Sequence, residues 1–266
     1  MELAGKTVLL TGATGGLGRA MATALARRGA QLSLSSRKPE ALEALAAELP
    51  GDGHRALVSD LGEPGAAEKL AAEAGDMDIL VANAGLPGSG RLPEYSSEQL
   101  AKALRVNLEA PMFLARALEQ RMIERGEGHM VFVSSLSGKS PAPLSSIYAA
   151  TKFGLRGFAF SLRTDLNPLG VGVSLVSPGT IRDAGMYADS GAKPIPGLGT
   201  GSPQQVADAV VKAITQNKAE ITVAPVRQRV LAHFALASPA ISVKFASGSF
   251  GKKAAESVVE GQHDKR

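Results

Sequence analysis

Residues 145–154, SSIYAATKFG, set the phenol of Tyr148 four positions before the ammonium of Lys152. Two alanines and a threonine lie between them, and alanine is the best helix former. On a helix that spacing stacks both side chains on one face, a turn apart. A phenol ordinarily holds its proton up to about pH 10, and a nearby ammonium favours the phenolate. The pair is therefore expected to lower the Tyr148 pKa, so that the phenol can exchange a proton with a carbonyl or alcohol oxygen. A packed tyrosine beside a surface lysine is the plain alternative, and the spacing alone does not separate the two. Upstream, the strand-like run VFVSS ends in Ser134 and Ser135, the second of them thirteen residues before Tyr148.

A second constellation lies near the start. TGATGGLG, residues 11–18, separates a β-rich run from an Ala-rich helical one. In that setting the glycines read as a turn whose backbone N–H groups face a diphosphate, with the helix N-terminus behind it. The candidate contacts are Gly12, Thr14, Gly16, Leu17 and Gly18. The glycines parse either as Gly12, Gly16 and Gly18 or as Gly12, Gly15 and Gly18. About 20 residues on, where NAD enzymes carry an acid for the ribose 2′-OH, the second strand ends Ser35-Ser36-Arg37-Lys38. A carboxylate there would repel a 2′-phosphate, whereas Arg37, beside Ser36, can pair with one in bidentate fashion. NADP(H) is therefore expected in preference to NAD(H). Arg19 is a second candidate to reach that phosphate.

The elements that must position these groups follow from the pattern. Short β-rich runs at 7–11, 31–36, 54–60, 78–85, 128–135, 170–179 and 220–225 alternate with helical stretches at 17–29, 39–49, 63–75, 96–108, 110–125, 146–167 and 203–216. Seven apolar strands with helices between them predict an α/β, doubly wound Rossmann fold: a seven-stranded parallel sheet flanked by helices on both faces. Residues 1–225 are expected to form one catalytic domain. The Gly/Pro-rich stretch 182–203 reads as a flap over a site.

Composition narrows the functions. With no cysteine among 266 residues there is no disulfide, thiolate nucleophile or Cys-based metal site. His54, His129, His233 and His263 show no ligand-like spacing, so no metal is expected. The N-terminus lacks a basic-then-apolar leader, and no apolar run reaches the roughly 18 residues of a spanning helix, so a cytoplasmic protein is expected. The net charge of +4 resides wholly beyond residue 226, which is no footprint for nucleic acid on the folded body.

At this point several ordered motifs can be compared with a known family. TGATGGLG, Asp60-Leu61 in VSDL, the ANAG of 82–85, Asn107 in RVNLEA, Ser135, YAATK and the SPG of 177–179 resemble the single-domain branch of the short-chain dehydrogenases/reductases, over residues 5 to 225. The resemblance implies Tyr148 as general acid/base, Ser135 on the substrate carbonyl, and Lys152 holding the nicotinamide ribose and depressing the tyrosine pKa. It implies Asn107 as the anchor of a water that relays protons through Lys152. Asp60 and Leu61 would meet the adenine, Asn83, Ala84 and Gly85 the adenosine ribose, and Pro178, Gly179 and Thr180 the nicotinamide. Asp183, where the family often has threonine, puts an unexpected acid near the cofactor.

The function so implied is an NADP(H)-dependent oxidoreductase acting on a small-molecule carbonyl or alcohol. The alternative is a catalytically silent NADP(H)-sensing protein, and the second glycine parse suggests sugar-nucleotide epimerisation. Residues 86–95, 136–147 and 182–203, with Leu86, Leu92, Leu136, Leu144, Ile147, Met186 and Tyr187, would wall a hydrophobic or lipid-like substrate, or simply pack loops. Residues 226–266 form a basic, amphipathic extension. Val226, Val230, Phe234 and Ala237 recur near helical spacing, and this stripe is expected to dock on the body or join subunits, with peripheral membrane contact through 226–245 less favoured. The tail from Ser257 is expected to be disordered. A homodimer or homotetramer through 96–125 and 146–167 is what the resemblance implies.

Overall fold

The computed structural model describes residues 1–192 and 197–262. Its centre is a parallel sheet of seven strands: β1 (Thr7–Thr11), β2 (Gln31–Ser36), β3 (Arg55–Val58), β4 (Ile79–Ala82), β5 (Gly128–Val133), β6 (Val171–Pro178) and β7 (Glu220–Val223). Their order is β3-β2-β1-β4-β5-β6-β7. Val8 pairs with Leu32 on one side and Ile79 on the other, so the winding reverses between β1 and β4. In such sheets ligands bind at that reversal, outside the C-terminal strand ends.

Both faces of the sheet are buried. One is covered by α1 (Gly16–Ala26), α2 (Pro39–Glu48) and α7 (Pro203–Thr215), where Leu10, Leu25, Leu42 and Val210 share a core. The other carries α3 (Ala66–Ala74), α5 (Ala110–Arg125) and α6 (Ser146–Leu166), packed on Leu9, Leu80 and Phe132. Strands covered on both sides need continuous apolar runs, as TVLLT supplies. Each fully buried leucine contributes roughly 2 kcal/mol. Helix ends follow local chemistry: Ser202 caps α7 in a box with Gln205, and Gly126 closes α5 in a left-handed conformation.

Two departures from the expected elements bear on function. The helices expected at 96–108 and 110–125 are one continuous rod, in which α4 (Ser97–Leu104) passes into α5 through a widened π turn, Arg105–Glu109, carrying Asn107. Such turns recur at functional sites. The extension is three helices, α8 (Val226–Ala237), α9 (Pro239–Ala246) and α10 (Ser249–Glu260). Pro239 ends the first amphipathic stretch, and residues expected to be disordered from Ser257 continue α10 as far as Glu260; residues 263–266 lie outside the described residues.

Candidate active site

Tyr148 and Lys152 stand one turn apart on α6, with the Lys152 ammonium 5.6 Å from the phenol ring centroid. Lys152 is buried and donates to the Val133 carbonyl at 3.0 Å, which ties it to the end of β5. Ser135, two residues past β5, stands near enough to the Tyr148 hydroxyl to pull its pKa down. Ser135 Oγ also accepts the Ser137 N–H at 3.1 Å, which fixes its rotamer at the start of the short turn Leu136–Gly138. Behind the phenol, Gly88 presses on the Tyr148 backbone, where an added Cβ would come within 2.8 Å of its N atom.

The electrostatics run opposite to the sequence expectation for the tyrosine. Burial pushes Tyr148 up to about 12, outweighing the nearby Ser135 hydroxyl that pulls it down. Burial also brings Lys152 down to about 8. Taking both groups out of water disfavours phenolate and ammonium alike, and at 5.6 Å the lysine does not reverse that. At neutral pH the phenol therefore keeps its proton and stands as an acid. Asn107 lies in the widened turn between α4 and α5. Its side chain is fully buried and clasps the Leu86 backbone, accepting the N–H at 2.7 Å and donating to the carbonyl at 2.9 Å. It pins the loop beside Tyr148.

From this trio one cavity of about 1020 Å³ runs along the C-terminal strand ends to β2. It is lined by Gly12, Thr14, Gly16, Leu17 and Gly18 after β1, by Ser36 and Arg37 after β2, and by Asp60 and Leu61 after β3. Asn83, Ala84 and Gly85 after β4, and Pro178, Gly179 and Thr180 at the end of β6, complete its floor. Gly12 has φ +65°, and a Cβ there would sit 2.9 Å from Ala84 Cα. At Gly18 a Cβ would collide with the Gly12 carbonyl, whereas at Gly15 it would find only ordinary contact. Sterics thus select the Gly12, Gly16 and Gly18 parse: Gly16 faces Ala184 of the flap with no room for a side chain.

Several groups around this cavity were not legible as site residues. Thr11 Oγ1 accepts the N–H groups of both Asn83 and Ala84 at 3.0 Å, joining the β1 and β4 ends. Asn83 itself spends its side-chain amide on the Thr11 and Gly12 carbonyls, at 3.0 and 3.2 Å. Lys102 of α4 lines the cavity 3.6 Å from Asp60. Lys139, only 1% exposed, donates to Glu220 at 2.8 Å and Thr222 at 2.7 Å, anchoring the chain just past Ser135 to β7. Gln228 of α8 accepts the Thr180 N–H at 3.1 Å and donates to the Gly199 carbonyl at 2.7 Å, holding the two ends of the flap segment together.

Other expectations need correction. Arg19 pairs with Glu48 on the surface and does not line the cavity. Asp183, at φ +69°, turns outward to Arg182 at 3.1 Å, so its charge leaves the site. Leu92 is exposed and Ile147 is buried in packing, and neither lines the cavity, while Leu86, Leu136, Leu144, Met186 and Tyr187 do. The flap covers the cavity through Ala184, Gly185 and Met186; residues 193–196 lie outside the described residues. The C-terminal helices close the same mouth, where Ala246, Ala255, Val258 and Gln262 line it and Gln262 donates to the Met186 carbonyl at 3.0 Å. No group of His or carboxylates able to hold a metal occurs among the described residues.

Residues 6–194 match a family model described as short chain dehydrogenase. The ketoacyl reductase HetN of Nostoc sp. is 36% identical over 227 residues, covering 83% of this chain and 79% of that protein. A bovine protein named dehydrogenase/reductase SDR family member 7B is 34% identical over 239 residues, covering 82% and 73%. Among solved structures, a short-chain dehydrogenase from Sphingobium yanoikuyae in complex with NADPH superposes with a TM-score of 0.77 at 29% identity, covering 91% of this chain and 96% of that one. A metagenomic short-chain oxidoreductase in complex with NADP gives a TM-score of 0.72 at 32% identity, covering 85% and 99%.

Proposed function

Because the chain belongs to the short-chain dehydrogenase/reductase family of oxidoreductases, we propose that it is an NADP(H)-dependent enzyme interconverting an apolar ketone or aldehyde and its alcohol. The observation that carries this reading is the meeting of Ser135, Tyr148 and Lys152 on the wall of the cavity that begins at the glycine turn. The residues present fit a dinucleotide. A diphosphate can approach the backbone where Gly12 and Gly18 keep Cβ atoms away and α1 points its positive end. Asp60, Leu61 and Asn83 are available to the adenosine half, and Pro178, Gly179 and Thr180 to the nicotinamide half.

The choice of NADP(H) rests on Arg37, with no acid at the end of β2 to repel a 2′-phosphate. The nicotinamide, when bound, supplies or accepts the hydride. Tyr148, protonated at neutral pH, donates its proton to the carbonyl oxygen as negative charge grows there, and takes it back from the alcohol in reverse. Ser135 holds the same oxygen and steadies the phenol. Lys152, fixed on Val133, stabilises the phenolate as it forms.

Leu86, Leu136, Pro141, Pro143, Leu144 and Met186 give the substrate end apolar walls, which favours a hydrophobic carbonyl compound. Self-association through α4, α5 and α6 agrees with exposed Leu104, Met112 and Phe153 on those helices. A cysteine-free chain using NADPH suits the cytoplasm. Turnover of NADPH with a panel of hydrophobic ketones and aldehydes, compared between wild type and Tyr148→Phe, tests the reading. Turnover is expected to collapse while NADPH binding persists. Equal turnover in the variant, or no turnover of any carbonyl by the wild type, overturns it.

A further inference from the structure

The stripe Val226, Val230, Phe234 and Ala237, expected to dock on the body or join subunits, does not dock on the body of its own chain and is exposed there. The inward side of α8 is Gln228, Ala232 and Ala235, all buried, and Gln228 is bonded to Thr180 and Gly199. That anchoring holds the opposite side outward. Val226 is 63% and Val230 61% exposed, and Leu231, Phe234, Ile241 and Val243 are also exposed over α8 and α9. Half of the exposed large hydrophobic side chains among the described residues fall within these two helices. A contiguous apolar surface of this kind marks an interaction site.

Charge identifies the occupant. From Val226 to Ala255 the sequence has no aspartate or glutamate, and the whole net charge of +4 lies beyond residue 226. On α8, exposed Arg227 and Arg229 fall on either side of the apolar stripe, with one Arg227 nitrogen donating to the Gly197 carbonyl at 3.1 Å, and exposed Lys244 follows on α9. Apolar side chains rimmed by cations with long stems are the arrangement that lies in a headgroup layer, chains inward and charges at the phosphates. A second copy fits poorly. Two such faces would oppose arginine to arginine, with no acid on either to pair them. Among the described residues no helix is long and apolar enough to cross a bilayer, so the contact is in-plane.

We propose that α8 and α9 bind an anionic phospholipid surface, with Val226, Val230 and Phe234 inserted and Arg227, Arg229 and Lys244 on the phosphates. The same helices lead into α10, whose Ala255 and Val258 line the cavity mouth, so the proposed contact sets that mouth near the lipid. The proposal does not rest on the oxidoreductase reading.

Co-sedimentation of the full chain with vesicles tests it, using phosphatidylcholine alone against an equimolar mixture with phosphatidylglycerol, at low and high salt. Binding is expected on anionic vesicles and is expected to weaken with salt. Val230→Asp combined with Phe234→Asp should lower partitioning more than about tenfold. Arg227→Gln combined with Arg229→Gln should lower it about fivefold per charge and flatten the salt dependence. A thermal melt checks that each variant is folded, and the arginine pair keeps the test open if the aspartates disturb α8. Absence of vesicle binding at low salt overturns the proposal, as does equal binding to neutral vesicles. A wild type dimer that the aspartates dissociate, with no lipid binding, assigns the face to a second copy and overturns it too.

Discussion

The Lys139 ammonium lies 2.8 Å from the Glu220 carboxylate, joining the loop that carries Ser135 to β7, with Arg156 on the far carboxylate oxygen at 3.5 Å. A buried pair of this sort gives little net stability, and removing the lysine leaves the Glu220 carboxylate only Arg156 and the Ser177 hydroxyl, at 3.2 Å. Lys139→Met is expected to cost about 3 kcal/mol and lower the melting temperature by roughly 6–12 °C. Because Ser135 loses its anchor, kcat is expected to fall more than the apparent affinity for NADPH does. Calorimetry together with steady-state kinetics checks both; a melting point within a degree of wild type would show that the pair is dispensable.

Arg37→Ala should weaken NADPH and leave NADH nearly unchanged. Losing charge-assisted hydrogen bonds to a 2′-phosphate costs about 1.5–3 kcal/mol, or roughly 10- to 100-fold in affinity. Titration of cofactor fluorescence with both nucleotides reads this directly, and a parallel loss for NADH would assign Arg37 a different role.

Gly18→Ala should abolish dinucleotide binding, because its Cβ would overlap the Gly12 carbonyl and both are backbone with nowhere to move. Gly15→Ala should be tolerated, since the space there permits ordinary contact. Dissociation constants for NADPH in the two variants distinguish them.

Stability should depend on pH in three windows. His129 is buried against Ser174, and burial brings its pKa down to about 3 from 6.5. The unfolded chain then binds more protons than the native one between these values, so stability is full above pH 6.5. It falls on acidification by at most about 1.4 kcal/mol per pH unit. His129→Gln should flatten that slope in urea titrations at pH 4 to 7. Lys152, at about 8 in the fold against 10.5 free, binds fewer protons when native, so its contribution to stability rises from pH 8 toward 10.5. Tyr148, at about 12 against 10, retains its proton when native, and its contribution is lost as pH rises from 10 through 12.

The sheet and the placement of the candidate site residues were legible where a local pattern carries them. Strand runs such as TVLLT, the glycine turn, and the Tyr148–Lys152 spacing each encode their geometry within a few residues. What escaped depends on partners far along the chain. Lys139 reads as one more surface lysine until β7 brings Glu220 to it, and Gln228 gains meaning only when α8 meets the loop after β6. The helical periodicity of α8 was legible; which side faced inward was not, because a polar Gln228 with two small alanines won the buried face over valine and phenylalanine. The direction of the Tyr148 pKa also eluded sequence, since depth of burial is a property of the fold.

The placement of β1 in the middle of the sheet has a kinetic consequence. Thr11 meets Asn83 across 72 residues of chain, and Val8 has neighbours on both sides that arrive later in synthesis. The nucleotide cradle therefore cannot close while the chain emerges until the fourth strand is made. High contact order of this kind makes folding slow. Until then the apolar first strand has an open edge, and an unpaired edge of that kind invites aggregation.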